Sequence, residues 1–161
     1  MFFSFGYSGW SIEEFYEILK KFNIKVVADV RKNPTSKRKE FCKEELERSL
    51  KERGVEYFWF EELGGFKQSY EEFSYSKVFD DNIKKLEEIG KDKNLLILCM
   101  EKDWRKCHRK FIAQRIASDG FEVFHITKTK LIKHDPNSEE IKRGMQKRIF
   151  CDIAKNKKSS S

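Results

Sequence analysis

Leu95-Leu96-Ile97-Leu98-Cys99 is the stretch on which the fold turns. Five apolar residues in succession leave no face for water, so the segment reads as a strand covered on both sides, as in a parallel sheet between helices. With Met100 it forms a run of six residues, the longest apolar run in the chain. A membrane-spanning helix needs roughly 20. On either side, short apolar runs alternate with helical patterns. Phe2 to Phe5 reads as a strand, and Gly6-Tyr7-Ser8-Gly9 as the turn after it. Ser11-Ile12-Glu13-Glu14 is a capping box, in which the Ser oxygen and the Glu carboxylate each take one free N–H of a new helix. That helix puts Ile12, Phe15, Ile18, Leu19 and Phe22 on one face. Lys25 to Val30 is β-branched and short, a strand, and Lys43 to Arg53 is a helix ending at Gly54. Val55 to Phe60 is a strand followed by the turn Leu63-Gly64-Gly65. The pattern predicts a helix from about Phe73 to Glu88 stopped by Gly90, another over Lys106 to Ser118 stopped by Gly120, and a last strand from Phe121 to Ile126. Strands alternating with helices define an α/β fold, a three-layer αβα sandwich around a mostly parallel five-stranded sheet.

The 161 residues fit one domain. Residues 1–127 form the expected αβα core and 128–161 a basic C-terminal extension, packed on the core or trailing from it, with a short helix over 141–153. Lys+Arg 34 against Asp+Glu 27 gives a net charge of +7, with 38% of residues charged. Fifteen Phe, five Tyr and three Trp supply rigid apolar area for a core, which excludes a disordered chain. Met1-Phe2-Phe3-Ser4-Phe5-Gly6 carries neither the basic region nor the cleavage site of a secretory signal. Transmembrane, secreted and fibrous classes are set aside, and a cytoplasmic protein is the expectation. In that compartment the four cysteines are free thiols, metal ligands or reactive groups. Cys42 and Cys151, each beside a Phe, read as small buried hydrophobes.

Open parallel sheets bind ligands where the strands end and the loops enter helix N-termini. At that edge the first strand delivers Ser8, the second Asp29 and Arg31 followed by Ser36 and Lys37-Arg38-Lys39, and the fourth Cys99, Glu101, Asp103, Cys107, His108 and Arg109. The fifth delivers His125. Asp103 is a natural N-cap, which places Cys107, His108 and Arg109 in the first two turns of a helix. The positive end of that helix would favour a thiolate and attract an anion. His108 shares a helix face with Trp104, Phe111 and Ile112 and so points inward toward Cys99.

These residues carry a resemblance. Gly6-Tyr7-Ser8, Asp29-Val30-Arg31 with Pro34 and Ser36, Phe41 ahead of a Lys-Glu helix, Leu63-Gly64-Gly65, and Cys99-x-Glu101 with Cys107-His108-Arg109 run in order through most of the chain. In this the chain resembles the family called domain of unknown function 488. The resemblance implies a small αβα domain with a strand-edge pocket and implies no activity. Where members often have Asp-Pro, this chain has Asp103-Trp104.

Four chemistries fit the residue types. Cys99 to Arg105 reads C-x5-R, the spacing that wraps an oxyanion in cysteine phosphatases and sulfurtransferases. The segment holds no Gly for a tight cradle, and Glu101 and Asp103 would repel a phosphate. Alternatively Cys107 pairs with His108 and Glu101, or Cys99 with His108, as nucleophile and base, Arg31 and Arg109 bind an anion, and Asp29 orients Arg31 or His108. The same Asp29, Arg31 and Arg109 equally suit a structural ion-pair network. Cys99, Cys107, His108 and Glu101 are also metal-donor types. Their spacing matches no ribbon or finger, and adjacent Cys107 and His108 diverge on a helix, so no metal is assigned. Finally, Lys37-Arg38-Lys39, the basic C-terminal region and Phe58-Trp59-Phe60 offer charge and stacking for nucleic acid.

The expectation is an enzyme of hydrolase or transferase type on a phosphorylated or nucleotide-like substrate. Cys99, Glu101, Cys107 and His108 would be catalytic, and Ser8, Asp29, Arg31, Ser36 and Arg109 would hold the substrate. The alternative is a non-catalytic nucleic-acid or nucleotide-binding module. The partner is anionic either way, no membrane is involved, and the residues name no cofactor.

Overall fold

A computed structural model describes residues 1–66 and 68–138. The strands are β1 (Phe2–Gly6), β2 (Val26–Asp29), β3 (Glu56–Trp59), β4 (Leu95–Cys99), β5 (Val123–Ile126) and β6 (Leu131–Lys133). They form one sheet in the order β3-β2-β4-β1-β5-β6. β1 to β5 run parallel, and β6 is antiparallel to β5. The helices are α1 (Ile12–Lys21), α2 (Lys43–Glu52), α3 (Tyr70–Phe73), α4 (Lys77–Gly90) and α5 (Arg109–Ser118). No helix among the described residues is long and apolar enough to cross a membrane.

Alternation along each strand sorts the core into two layers. Phe3 and Phe5 of β1, Val27 of β2 and Leu96 and Leu98 of β4 pack with Phe15 and Leu19 of α1 and Leu46 and Leu50 of α2. Phe2, Val26, Ala28, Leu95 and Ile97 face the other way, against Phe79, Ile83 and Leu86 of α4 and Ile112 and Ile116 of α5. β4 is buried at every position, as a continuous apolar run requires. The capping box forms as read: Ser11 Oγ accepts from the Glu14 N–H, and Glu14 Oε1 accepts from the Ser11 N–H.

The α/β sandwich stands, with corrections. Among the described residues the sheet has six strands, not five. β6 pairs Phe124 with Lys133 and Ile126 with Leu131, after a turn closed by the Thr127 N–H on the Lys130 carbonyl. Three residues, the last of them a lysine and most of them exposed, carry too little alternation to announce a strand. The helix predicted over 73–88 is two helices, because Ser76 caps a fresh start by accepting from the Phe79 N–H. The helix predicted from Lys106 begins at Arg109. Asp103 instead caps a 3₁₀ turn, Trp104–Lys106, accepting from the Arg105 N–H. Cys107 then leaves helical space at φ −108°, ψ 154°. Its sulfur accepts the Arg109 N–H two residues on, the role a Ser or Asp side chain plays at a cap. Cys42 is half-buried rather than buried, its thiol donating to the Ser36 carbonyl. The helix expected over 141–153, Cys151 and the end of the basic extension lie outside the described residues.

β1 and β4 lie side by side at the carboxyl edge, where connections depart in opposite directions. The Tyr7 N–H reaches the Cys99 carbonyl and the Ser8 N–H the Met100 carbonyl. A Cβ on Gly6 would run into the Glu101 carbonyl and come 2.8 Å from an Arg109 terminal nitrogen. Gly6→Ala is therefore expected to cost about 1–3 kcal/mol, by overpacking against backbone that cannot yield. A urea midpoint equal to that of the wild type would contradict the close approach.

Candidate functional site

The structure divides the nine expected site residues into a buried reactive cluster, a buried ion pair and an open groove.

The cluster forms where β4 ends and α5 begins. Cys99 Sγ, Cys107 Sγ and a ring nitrogen of His108 all lie within 4.8 Å of one another. Both cysteines are buried. The Cys107 sulfur accepts the Arg109 backbone N–H at 3.5 Å and its Nε–H at 3.4 Å, and lies 3.8 Å from His108 Nδ1. His108 Nε2 sits 2.9 Å from the Val30 carbonyl, which can only accept. Nε2 therefore carries a hydrogen, and Nδ1 is the atom turned to sulfur. A hydrogen bond from the Cys99 thiol pulls Cys107 far below the ordinary thiol range against the cost of burial, aided by His108 and the Arg109 guanidinium. Cys99, which gives that hydrogen bond and is itself buried, is pushed up. One thiolate and one thiol result. Tyr70 lies over His108 with ring centres 5.0 Å apart, and its hydroxyl donates to the Leu63 carbonyl. Burial and the two nearby cysteine sulfurs push that phenol up.

Arg109 is 1% exposed and fully engaged. Besides the sulfur it bonds Ser4 Oγ at 3.0 Å and the Glu101 carbonyl. From Ser4 the chain of bonds continues. Ser4 Oγ meets His125 Nδ1 at 2.9 Å, His125 Nε2 meets His134 Nδ1 at 2.9 Å, and His134 Nε2 meets Gln114 Oε1 at 2.8 Å. Gln114 Nε2 donates to the Pro136 carbonyl. Gln114 Oε1 only accepts, so His134 Nε2–H donates to it; with both imidazoles neutral, His134 Nδ1 accepts from His125 Nε2 and His125 Nδ1 accepts from the Ser4 hydroxyl. Trp104 stacks flat on His125 with ring centres 3.8 Å apart.

Burial lowers His125 to about 2, with His134 and Arg109 adding to it, and lowers His134 to about 4. An unfolded His titrates near 6.5, so on acidification the unfolded chain takes up protons that the folded one refuses. Stability is fully present above about pH 6.5 and is lost as pH falls toward the folded values. Each imidazole contributes a slope of about 1.4 kcal/mol per pH unit. Urea midpoints measured from pH 7 to pH 5 are expected to fall throughout, and a flat profile would remove the neutral pair.

The ion pair is Asp29 with Arg31. Two bonds of 2.8 and 2.7 Å join them, the Arg31 backbone N–H adds a third, and Tyr57 donates to Asp29 at 2.5 Å. The remaining Arg31 terminal nitrogen faces the Tyr7 hydroxyl at 3.3 Å. Burial alone would lower Arg31, but the bonds and charge of Asp29 outweigh it and the guanidinium is raised. Burial and the Asp29 charge raise Tyr57.

Ser8 and Ser36 line the groove with Tyr7, Thr35, Lys37, Arg38 and Met100, a space of about 630 Å³. It adjoins the cluster through Met100, which follows Cys99, and through the Tyr7 N–H on the Cys99 carbonyl. Glu101 lies between cluster and groove: its carbonyl meets Arg109, while its carboxylate accepts the Asp103 N–H. Arg105, the arginine of C-x5-R, is exposed over the Trp104 ring.

Ser4, Tyr57, Tyr70, Gln114 and His134 were not foreseen as site residues, and His125 was placed at the edge without a role. Ser4 and His125 had a signal, since each interrupts an apolar strand, Phe2-Phe3-Ser4-Phe5 and Val123-Phe124-His125-Ile126. A polar side chain inside a two-faced buried strand needs a partner. Tyr57, Tyr70, Gln114 and His134 had none.

Fold and site thus define an α/β protein with a thiol–imidazole–guanidinium cluster beneath the carboxyl edge of its sheet. The chain belongs to the family described as Domain of unknown function DUF488, which matches residues 11–116. No curated protein and no solved structure matches it.

Proposed function

We propose that this protein is a cytoplasmic enzyme of hydrolase or transferase type acting on a phosphorylated or nucleotide-like anion. The observation that carries the reading is the Cys107 sulfur, held by two N–H groups of Arg109 and lying against His108 Nδ1. A thiolate fixed by preorganised donors beside a proton carrier has the composition of an activated nucleophile. Cys107 attacks the electrophilic centre, and the leaving group departs with the proton that Cys107 and His108 share. Water or an acceptor then releases the thiol-bound group. Cys99 supplies the hydrogen bond that keeps Cys107 ionised, and Glu101 shapes the loop through its carbonyl. Arg31 and Arg109 act as the rigid frame, their guanidinium groups being committed to protein partners. Binding of the anion falls to the groove, through Ser8, Ser36, Lys37 and Arg38.

Turnover of a panel of phosphorylated and nucleotide substrates tests this. Cys107→Ser is expected to lower kcat by at least a factor of about 10³, as loss of a nucleophile does. Lys37→Ala should chiefly raise KM. Full turnover by Cys107→Ser, or none by the wild type, overturns the reading. A nucleic-acid or nucleotide-binding module built on Lys37 and Arg38 would show instead as affinity that falls steeply with salt and ignores Cys107.

A further inference from the structure

We propose that Cys99 Sγ, Cys107 Sγ and His108 Nδ1 form a binding site for a soft divalent transition cation of the Zn²⁺ class. The juxtaposition of these three atoms, within 4.8 Å of one another, carries the inference. Two sulfurs and an imidazole nitrogen around tetrahedral zinc stand roughly 3.5–3.8 Å apart, given metal–ligand bonds of about 2.0–2.3 Å. Cys107 Sγ and His108 Nδ1 are 3.8 Å apart already.

The objection that neighbouring Cys107 and His108 cannot share an ion holds only on a helix, where successive side chains fan apart by about 100°. Here Cys107 is extended, at φ −108° and ψ 154°, and His108 is the residue before α5, at φ −61° and ψ −14°. The break between the 3₁₀ turn and α5 is what turns both side chains onto one centre, opposite Cys99 at the end of β4.

The surroundings match those of a ligand set. His108 gives its Nε2–H to the Val30 carbonyl at 2.9 Å, which orients the ring so that Nδ1 is the atom a metal would meet once the proton shared with Cys107 has left. The Cys107 sulfur takes two N–H bonds from Arg109, as ligating sulfurs do from their second layer. Two thiolates and a divalent ion sum to zero charge, so burial carries little penalty for the loaded site. The Tyr70 hydroxyl is bonded to the Leu63 carbonyl. Among the described residues the cluster offers three donors, so the fourth ligand of a tetrahedral ion would come from water or a bound group. Loading releases two protons, one from Cys99 and one shared by Cys107 and His108.

Metal binding does not depend on the enzyme reading. Its regulatory consequence does rest on it: a metal-bound Cys107 is no longer a free nucleophile, so loading with Zn²⁺ silences the proposed activity.

The experiment titrates the reduced, metal-free full chain with Co²⁺ as probe and then with Zn²⁺. The expected result is a thiolate-to-cobalt charge-transfer band in the near ultraviolet with intense tetrahedral d–d bands, saturating at one ion per chain and abolished by Zn²⁺. His108→Ala should weaken binding more than about tenfold. Cys42→Ser should change nothing. Absence of the charge-transfer band, or bands that survive Cys107→Ser, overturns the proposal. Should Cys107→Ser fail to fold, alkylation of the wild type by iodoacetamide decides: Zn²⁺ protects Cys99 and Cys107 and spares Cys42 no labelling. Labelling of Cys99 and Cys107 unchanged by Zn²⁺ refutes the site. Cobalt bands without turnover in any form sink the enzyme reading alone. Turnover lost in Cys107→Ser without cobalt bands sinks the metal site alone.

Discussion

Arg109→Met is expected to destabilise the fold by about 3–5 kcal/mol, the cost of breaking a buried charged network by removing one member. Arg109 is 1% exposed and reaches three separate parts of the chain: Ser4 in β1, the Glu101 carbonyl in the loop after β4, and the sulfur of Cys107. Met restores the volume and none of the donors. The Glu101 carbonyl and the Cys107 thiolate lose their counter-groups together, and the chain of bonds through His125 and His134 loses the donor at its head. Each charged hydrogen bond contributes about 1.5–3 kcal/mol, so losing two or three outweighs the apolar gain of the thioether. A chain of this size loses about 2–4 °C of Tm per kcal/mol, so the melting temperature should drop by roughly 10 °C. A drop within about 2 °C would show that the network contributes little.

Asp29→Leu should be as damaging, by about 3–5 kcal/mol, for a different reason. Asp29 is fully buried and Arg31 is 5% exposed. Without the carboxylate the guanidinium is left in the interior with the Tyr7 hydroxyl as its remaining side-chain partner, and Tyr57 loses its acceptor. The diagnostic is the double variant. Asp29→Leu with Arg31→Met removes both charges, and replacing a buried pair by apolar residues of similar size is often neutral. It should recover at least half the loss, measured as the difference in urea midpoints among the four proteins of the cycle. If the double variant is as unstable as the sum of the singles, the pair is not acting as a buried ion pair.

The two networks show where sequence reading succeeds and stops. Leu95 to Cys99 and Lys25 to Val30 declared themselves as buried strands because continuous apolar runs have few other solutions. Ser11 to Glu14 declared a helix start because the caps are local. The helix start at Arg109 was not legible. Asp103 is a sound cap, and only the sulfur of Cys107 accepting the Arg109 N–H shows why the chain interrupts the helix before resuming it. That break matters chemically, since it converts Cys107 and His108 from diverging helical neighbours into side chains with a common centre. The assignment of Arg31 and Arg109 to the carboxyl edge was legible. So was Asp29 as a partner of Arg31; that Arg109 turns to Ser4, the Glu101 carbonyl and Cys107 was not.

By itself, the sequence determined the α/β class, the two-faced burial of β4, the edge at which reactive groups gather, and the residue types gathered there. These follow from interactions within a few residues: alternation, caps and the solubility of side chains. The tertiary structure alone decided that β1 lies between β4 and β5, that β6 closes the far edge, and that Ser4 meets Arg109 across 105 residues. It also decided that Arg109 stays out of the Asp29–Arg31 pair and holds Cys107 instead. Burial makes each charged group take the best-placed counter-group in space, and which group that is depends on strand order, a property of the packed sheet and of no single segment.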